Sequence, residues 1–238
     1  VTGSTKKLSY SLTGRYFTQE GIYNIGEDKY RTFNLRSKVN LEVNNWLSVD
    51  NNTSVFNSFQ KQPMFTTSST LGTQLDMHGQ PIFVPYNEDG TYTLSANKTA
   101  YSSFTEGNTG QTDNNLTLVT ATGININIIK NVLKVRGDFS YKAIRKDRER
   151  YRAPLSFYLS PTSVTDCVSQ ENSYKSRWTY DTDYITSNVV ATWTPKLGNN
   201  HDLNVVGGWN LENYKWNRFY LQRKGMLFPS KYQSFELF

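Results

Sequence analysis

Cysteine is almost absent. Cys167 is the only one in 238 residues, so no disulfide can form within the chain. The plain reading is a lone loop or buried thiol, and the lack of a disulfide framework argues weakly against a eukaryotic extracellular domain. Histidine is nearly as scarce. His78 and His201 have no second ligand at metal-binding spacing, so neither a metal nor any other cofactor is expected. No run of about 18 apolar residues occurs, which excludes a transmembrane helix. It does not exclude a β-barrel, whose strands are apolar on one side only. The start, Val1-Thr2-Gly3-Ser4, has no basic or apolar leader region, so no signal peptide is expected. The net charge is +6, but the cations are scattered and no nucleic-acid motif accompanies them. Nucleic acid is therefore not an expected partner.

Alternation is what the chain has in quantity. Phe33, Leu35, Val39, Leu41 and Val43 share one parity, broken only by Ser37. Asn34, Arg36, Lys38, Asn40, Glu42 and Asn44 fill the other. A period of two over this length means a β-strand with one dry and one wet face. Asn44-Asn45 then reads as a tight turn, and a returning strand begins at Leu47. The same pattern recurs at Leu8 to Tyr16, Leu116 to Ile128, Leu133 to Tyr141, Tyr184 to Thr194 and Leu203 to Leu211. After about Tyr214 it decays. Seven antiparallel strands joined to nearest neighbours are expected, with almost no helix.

The connections between them are, in order, medium, short, very long, short, long and short. The very long one runs from Gln60 to about Asn115 and the long one from about Ala143 to Arg177. A sandwich has no reason to gather its long loops at one end. An outer-membrane barrel does, with short periplasmic turns and long extracellular loops. Trp46 and Trp193 fall beside short turns, where an aromatic girdle would sit, and Phe33 and Tyr141 lie toward the other end. The alternatives are a soluble carbohydrate-binding β-sandwich and a passive porin.

Chemistry for an enzyme is thin. Asp50, Asp138, Asp202 and Glu212 could be paired as glycosidase carboxylates, but they sit at wet parity and any β protein offers such pairs. Gly207-Gly208 reads as a bend rather than a phosphate cradle. The charge run from Arg145 to Arg152 reads as a solvated strand extension, with contact to lipid phosphates or an acidic partner as the sharper alternative. Aromatics on the long stretches, among them Phe65, Tyr86, Tyr92, Tyr101, Phe104, Tyr158, Tyr174, Trp178 and Tyr180, either pack the loops or stack on a ligand. Tyr86, Tyr92, Tyr101, Trp178 and Tyr180 are the candidate substrate contacts.

Several stretches resemble the barrel of the SusC/RagA family of TonB-dependent outer-membrane transporters of Bacteroidetes. They are LSYSLTGRYFTQEGI at Leu8–Ile22, YRTFNLRSKVNL at Tyr30–Leu41 with NWLSV at Asn45–Val49, DGTY at Asp89–Tyr92, NVLKVRGDFSY at Asn131–Tyr141 and HDLNVVGGW at His201–Trp209. The resemblance implies about seven to eight strands of a large all-β, antiparallel, transmembrane barrel, with residues 1–238 a single segment from its front half. No plug or TonB-box sequence is found, and Phe238 reads as a truncation point. It further implies import of glycans, or second oligopeptides, with energy from the TonB complex and a SusD-like surface lipoprotein as partner. Asn34, Arg36, Lys38, Asn40, Lys134, Arg136 and Asp138 are then expected to face the lumen. The dry residues face outer-membrane lipid.

Overall fold

The computed structural model describes residues 1–21, 28–64, 81–99, 101–107, 109–160, 162–197 and 201–225. Phe65, His78 and the terminal stretch around Phe238 lie outside them. One sheet dominates. Its strands are β1 (Thr2–Ser4), β2 (Leu8–Glu20), β3 (Lys29–Glu42), β4 (Leu47–Gln62), β5 (Thr109–Ile129), β6 (Leu133–Arg152), β9 (Tyr174–Trp193) and β10 (Val205–Lys224). They follow one another in chain order and every neighbouring pair is antiparallel. The seven expected strands are all there, with the short β1 added at the edge. A separate hairpin of β7 (Leu155–Ser160) and β8 (Ser163–Val168) sits within the β6–β9 connection.

The register puts every dry parity on the same side. Leu8, Leu41, Val49, Ile124, Gly137, Val189 and Trp209 form one continuous rung from β2 to β10. The next such rung toward the long-loop end carries Tyr10, Val39, Asn51, Thr122, Phe139, Ser187 and Leu211. A slip of one residue in any pair would send that strand's apolar set to the wrong side. Among the described residues no second layer covers this face. Leu12, Tyr16, Phe33, Phe139, Trp209 and Leu211 are all counted among its exposed large side chains. A patch of this extent is far beyond what a soluble monomer leaves bare.

The apolar band slides as it crosses the sheet. On β2 it reaches Tyr16, whose rung runs through Phe33, Asn57, Leu116, Arg145 and Asp181 to Asn217. On β10 the continuous band stops at Leu211, six residues short of Asn217, after six strand-to-strand steps. Its lower edge moves the same way, since Leu8 shares a rung with Trp209 while the β10 band begins four residues lower at Val205. A slide of about one residue, roughly 3.3 Å, per strand spacing of roughly 4.8 Å corresponds to a tilt of about 35°. That is the tilt strands adopt when a sheet closes into a barrel and the band lies level.

Above the band the strands continue, and the formerly dry face of β6 and β9 turns polar. The expected long loop from Ala143 to Arg177 is shorter than its sequence suggested, because β6 runs on to Arg152 and β9 starts at Tyr174. The charge run is strand. On the formerly dry face, Arg145 binds Asp183 at 2.7 Å and Asp181 at 3.5 Å, Lys175 binds Glu149 at 2.9 Å, and Arg177 pairs with Asp147. β10 likewise extends past Tyr214 to Lys224. Within the band, one polar inlay satisfies itself. The Asn51 amide donates to Thr122 Oγ1 at 2.9 Å, Thr53 donates to Asn51 Oδ1 at 2.9 Å, and Thr53 and Thr120 hydroxyls lie 2.8 Å apart.

The short turns have clear local causes. Asn44 Oδ1 accepts from the Trp46 and Leu47 amides at 3.0 and 2.8 Å, an Asx turn that closes β3 onto β4. Asn131 takes φ 58° between β5 and β6, a conformation asparagine tolerates. The long connections instead pack on each other. Helices α1 (Leu94–Lys98) and α2 (Tyr101–Glu106) lie in the β4–β5 connection, and the Tyr158 amide of β7 donates to the Tyr92 carbonyl at 2.8 Å. Ala96, Phe104, Ala153 and Phe157 form the small buried core of this cap.

Phe104 is 2% exposed, and truncating a buried Phe typically costs about 3–5 kcal/mol. Phe104→Ala is therefore expected to open the cap while leaving the sheet intact. Limited proteolysis should show faster cleavage within residues 81–107, with strand protection unchanged.

Candidate functional site

The polar face of the sheet carries the chemistry. Asn34, Arg36, Lys38 and Asn40 of β3 and Lys134, Arg136 and Asp138 of β6 all stand on it. Near the short-turn end Arg136 ties a network together. Its Nε and Nη2 donate to Asp138 at 2.9 and 2.5 Å, and its Nη1 to Asn125 at 2.8 Å and Asp50 at 3.3 Å. Gly123 lies on the rung between Asp50 and Asp138 and leaves the space this network crosses. On β2 and β3, Arg15, Arg36 and Lys38 line a concavity of about 320 Å³ with Ser11, Thr13 and Asn34. Arg36 donates to Asn52 at 3.0 Å.

Higher on the same face, β6, β9 and β10 form a larger groove of about 600 Å³. Strand alternation builds it as a grid. Asn115, Lys146, Tyr180 and Arg218 share one rung, Ile144, Thr182 and Trp216 the next, and Lys142, Tyr184 and Tyr214 the third. At its upper border Arg148 binds Asp113 at 2.5 Å. Trp178 stacks on Tyr220 with centroids 4.8 Å apart, and the Arg150 guanidinium lies 5.1 Å from the Trp178 ring. Arg218 sits 5.4 Å from the Tyr180 ring. Cations over aromatic faces attract through the ring quadrupole, and the rings offer flat apolar contact to a ligand.

The five candidate aromatics divide into two groups. Trp178 and Tyr180 lie in β9, not in a loop as the sequence reading had it, and face this groove region. The misplacement has a physical cause: above the apolar band neither parity is dry, so alternation no longer marks a strand. Tyr86, Tyr92 and Tyr101 gather instead in the cap, with Tyr86 5.2 Å from Tyr92 and 6.0 Å from Tyr101. The Tyr92 hydroxyl meets Thr105 Oγ1 at 2.6 Å and donates to Glu106 at 2.8 Å. Burial raises the Tyr92 pKa well above its usual value, so the phenol stays a donor. These three rings stand together in the cap, with Tyr86 exposed at its surface.

Trp46 and Trp193 stand exposed at the short-turn ends of β4 and β9. Phe33 lies at the opposite end of the band, on the rung of Tyr16. Tyr141 shares a rung with Thr120, Thr53 and Ser37, so in ladder terms it is lower than Phe33. The tilt of the band removes most of that difference. Sequence reasoning missed Lys146, Arg148, Tyr184, Tyr214 and Trp216 as a group. Extending the parity of Lys142 and of Asn210 upward along their strands would have found them.

Fold and site together define a tilted antiparallel wall, apolar on one side and polar-aromatic on the other, capped by interlocking loops at one end. The same architecture occurs in solved transporter structures. The RagAB peptide importer in its 'closed-closed' state aligns with TM-score 0.68 at 17% identity, over 97% of this chain and 25% of that one. A second RagAB peptide transporter structure aligns with TM-score 0.66 at 16% identity, over 97% and 25%. The chain thus spans about a quarter of the length of these neighbours and has the fold of that part of them. No protein-family model matches the chain, and no curated protein matches it.

A Cβ at Gly123 would lie 2.6 Å from both Asp50 Oδ1 and Arg136 Nη2. Gly123→Ala is expected to push the Arg136 network apart and to cost about 1–3 kcal/mol. In the assembled full-length protein this reads out as a lower temperature for loss of folded, fast-migrating gel mobility. Gly137→Ala, with open space around its Cβ position, serves as the neutral control.

Proposed function

We propose that this chain is a wall segment of an active importer in a bacterial outer membrane. The apolar face meets lipid and the polar face lines the lumen. One observation carries the reading: a level apolar band, uncovered by any other layer among the described residues, crosses seven strands at a slide that matches barrel tilt. A β-sandwich would bury these residues against a second sheet. Trp46 and Trp193 serve as the girdle at the short-turn interface, and Phe33 and Tyr141 at the other. The neighbours' role as peptide importers makes oligopeptides the preferred cargo here, with glycans second. Energy comes through TonB and a SusD-like lipoprotein covers the long-loop side, as the family resemblance implies. The segment is not an enzyme.

Two substitutions on adjacent residues test the orientation. Val39→Arg puts a charge on the lipid side, at a cost of about 2–4 kcal/mol near the bilayer midplane, and should sharply reduce outer-membrane assembly of the full-length protein. Lys38→Ala, pointing the other way, should leave assembly intact. Normal assembly of Val39→Arg beside failure of Lys38→Ala would invert the faces. Cargo class is tested by uptake of labelled oligopeptides and oligosaccharides in cells with and without the protein. Peptide uptake should require both the protein and the proton gradient; gradient-independent uptake would point to a passive porin.

A further inference from the structure

We propose that the groove of β6, β9 and β10 selects oligopeptides bearing acidic side chains, through Lys142 and Lys146. This inference rests on the importer reading above and specifies its cargo. Other cations bordering the groove are engaged. Arg148 is held by Asp113 at 2.5 Å, Arg150 donates to Gln111 at 2.6 Å, and Arg218 lies over Tyr180. Lys142 and Lys146 are exposed and have no hydrogen-bond or ion-pair partner among the described residues. The groove's one carboxylate, Asp113, is committed to Arg148. Two ammonium groups thus face a concavity of about 600 Å³, and among the described residues that line it no free carboxylate neutralises them.

Their placement fits an extended chain. They are four residues apart on one strand face, so their Cα atoms are separated by roughly 13 Å. An extended peptide covers the same distance in about four residues. On the intervening rung stand Ile144, Thr182 and, two strands away, Trp216, with Tyr180 and Tyr184 on the rungs of the lysines themselves. A peptide lying along β6 can set one carboxylate near each lysine and an apolar side chain between them. In bulk water a lysine–carboxylate contact gains little, but as the ligand fills the groove and displaces water the attraction strengthens. A neutral peptide would gain the stacking contacts alone.

The contrast with a second polar-face concavity, on β2 and β3, supports the choice. Ser11, Thr13, Arg15, Asn34, Arg36 and Lys38 line it, and none of these is aromatic. Charge without an apolar platform recruits anions weakly and holds no side chain in place. The lysine pair, with Tyr184 and Tyr180 on the neighbouring strand, offers both.

The test uses the purified full-length protein and two synthetic peptides of one sequence. One carries Glu at two positions four residues apart, and the other carries Gln there. Calorimetric titration should show the Glu peptide binding about tenfold tighter than the Gln peptide, a preference that shrinks as salt rises. In the Lys142→Gln/Lys146→Gln double variant, the Glu peptide should fall to the affinity of the Gln peptide, whose own affinity stays put. The wild-type comparison needs no variant, so a misassembled mutant leaves the proposal testable. Equal binding of the two peptides by the wild type overturns acidic selectivity and leaves peptide import standing. A preference that survives in the double variant overturns the assignment to these lysines. Lysine-dependent binding of an oligouronide in place of either peptide overturns the peptide assignment. Failure of both peptides to bind, with no peptide taken up by cells carrying the protein, defeats the peptide-cargo reading and this inference with it.

Discussion

Everything here depends on phase. Each strand alternates with a period of two, and each hydrogen-bonded neighbour must keep the same phase for the dry residues to share a side. Six long-strand pairings in succession meet that condition. The short turns help to set it. The Asx turn at Asn44 and the left-handed Asn131 hold successive strands at fixed offsets. The hydrophobic effect then acts on the sheet as a whole rather than on a core. The few buried apolar side chains belong mostly to the cap, and the sheet's apolar surface is turned outward. Such a surface is stable only against another apolar medium, which is why the arrangement argues for lipid.

The exceptions on the dry face obey the same physics. Hydroxyls and amides facing hydrocarbon are costly when unpaired. Asn51, Thr53, Thr120 and Thr122 bond one another, so the inlay presents few free polar groups. Above the band the constraint changes character. Arg145, Arg177 and Lys175 find carboxylate partners across β6 and β9, as partly exposed cross-strand pairs of modest individual worth. Their message is positional. Charges begin with Arg145 and Asp183 on the same side that is apolar below, which marks the upper edge of the apolar band.

This boundary explains what could and could not be read from the chain. Inside the band, one dry parity beside one wet parity identified all seven long strands, their order and their faces. Beyond it, β6 after Tyr141, β9 before Tyr184 and β10 after Tyr214 have two wet faces, and the period disappears while the strand continues. Trp178 and Tyr180 therefore looked like loop residues, and the grid they join stayed hidden. The cap was illegible for another reason. Its packing joins residues far apart in sequence, such as Tyr92 and Tyr158, and no local pattern encodes that meeting. Arg36, Lys38, Arg136 and Asp138 were legible because parity alone fixes their side; the partners of Arg136 were not, since they come from three strands.

The division of the polar face follows from the same geometry. Near the short turns, the strands carry closely spaced opposite charges, and Arg136 consumes both Asp50 and Asp138. There the charges are already paired with one another, which leaves less for a passing ligand. Toward the cap, above the apolar band, several aromatic side chains stand on the polar face. Trp178, Tyr180, Tyr184, Tyr214 and Trp216 are all at polar-face parity there. A wall that passes cargo, as proposed above, has to hold that cargo and still release it. Flat rings and flexible ammonium groups meet both demands, because each contact is weak, adaptable and rescreened as water returns. A network like that of Arg136, with fixed geometry and fully paired charge, meets neither. The upper groove is thus where a ligand gains most from the wall and the wall loses least when the ligand leaves.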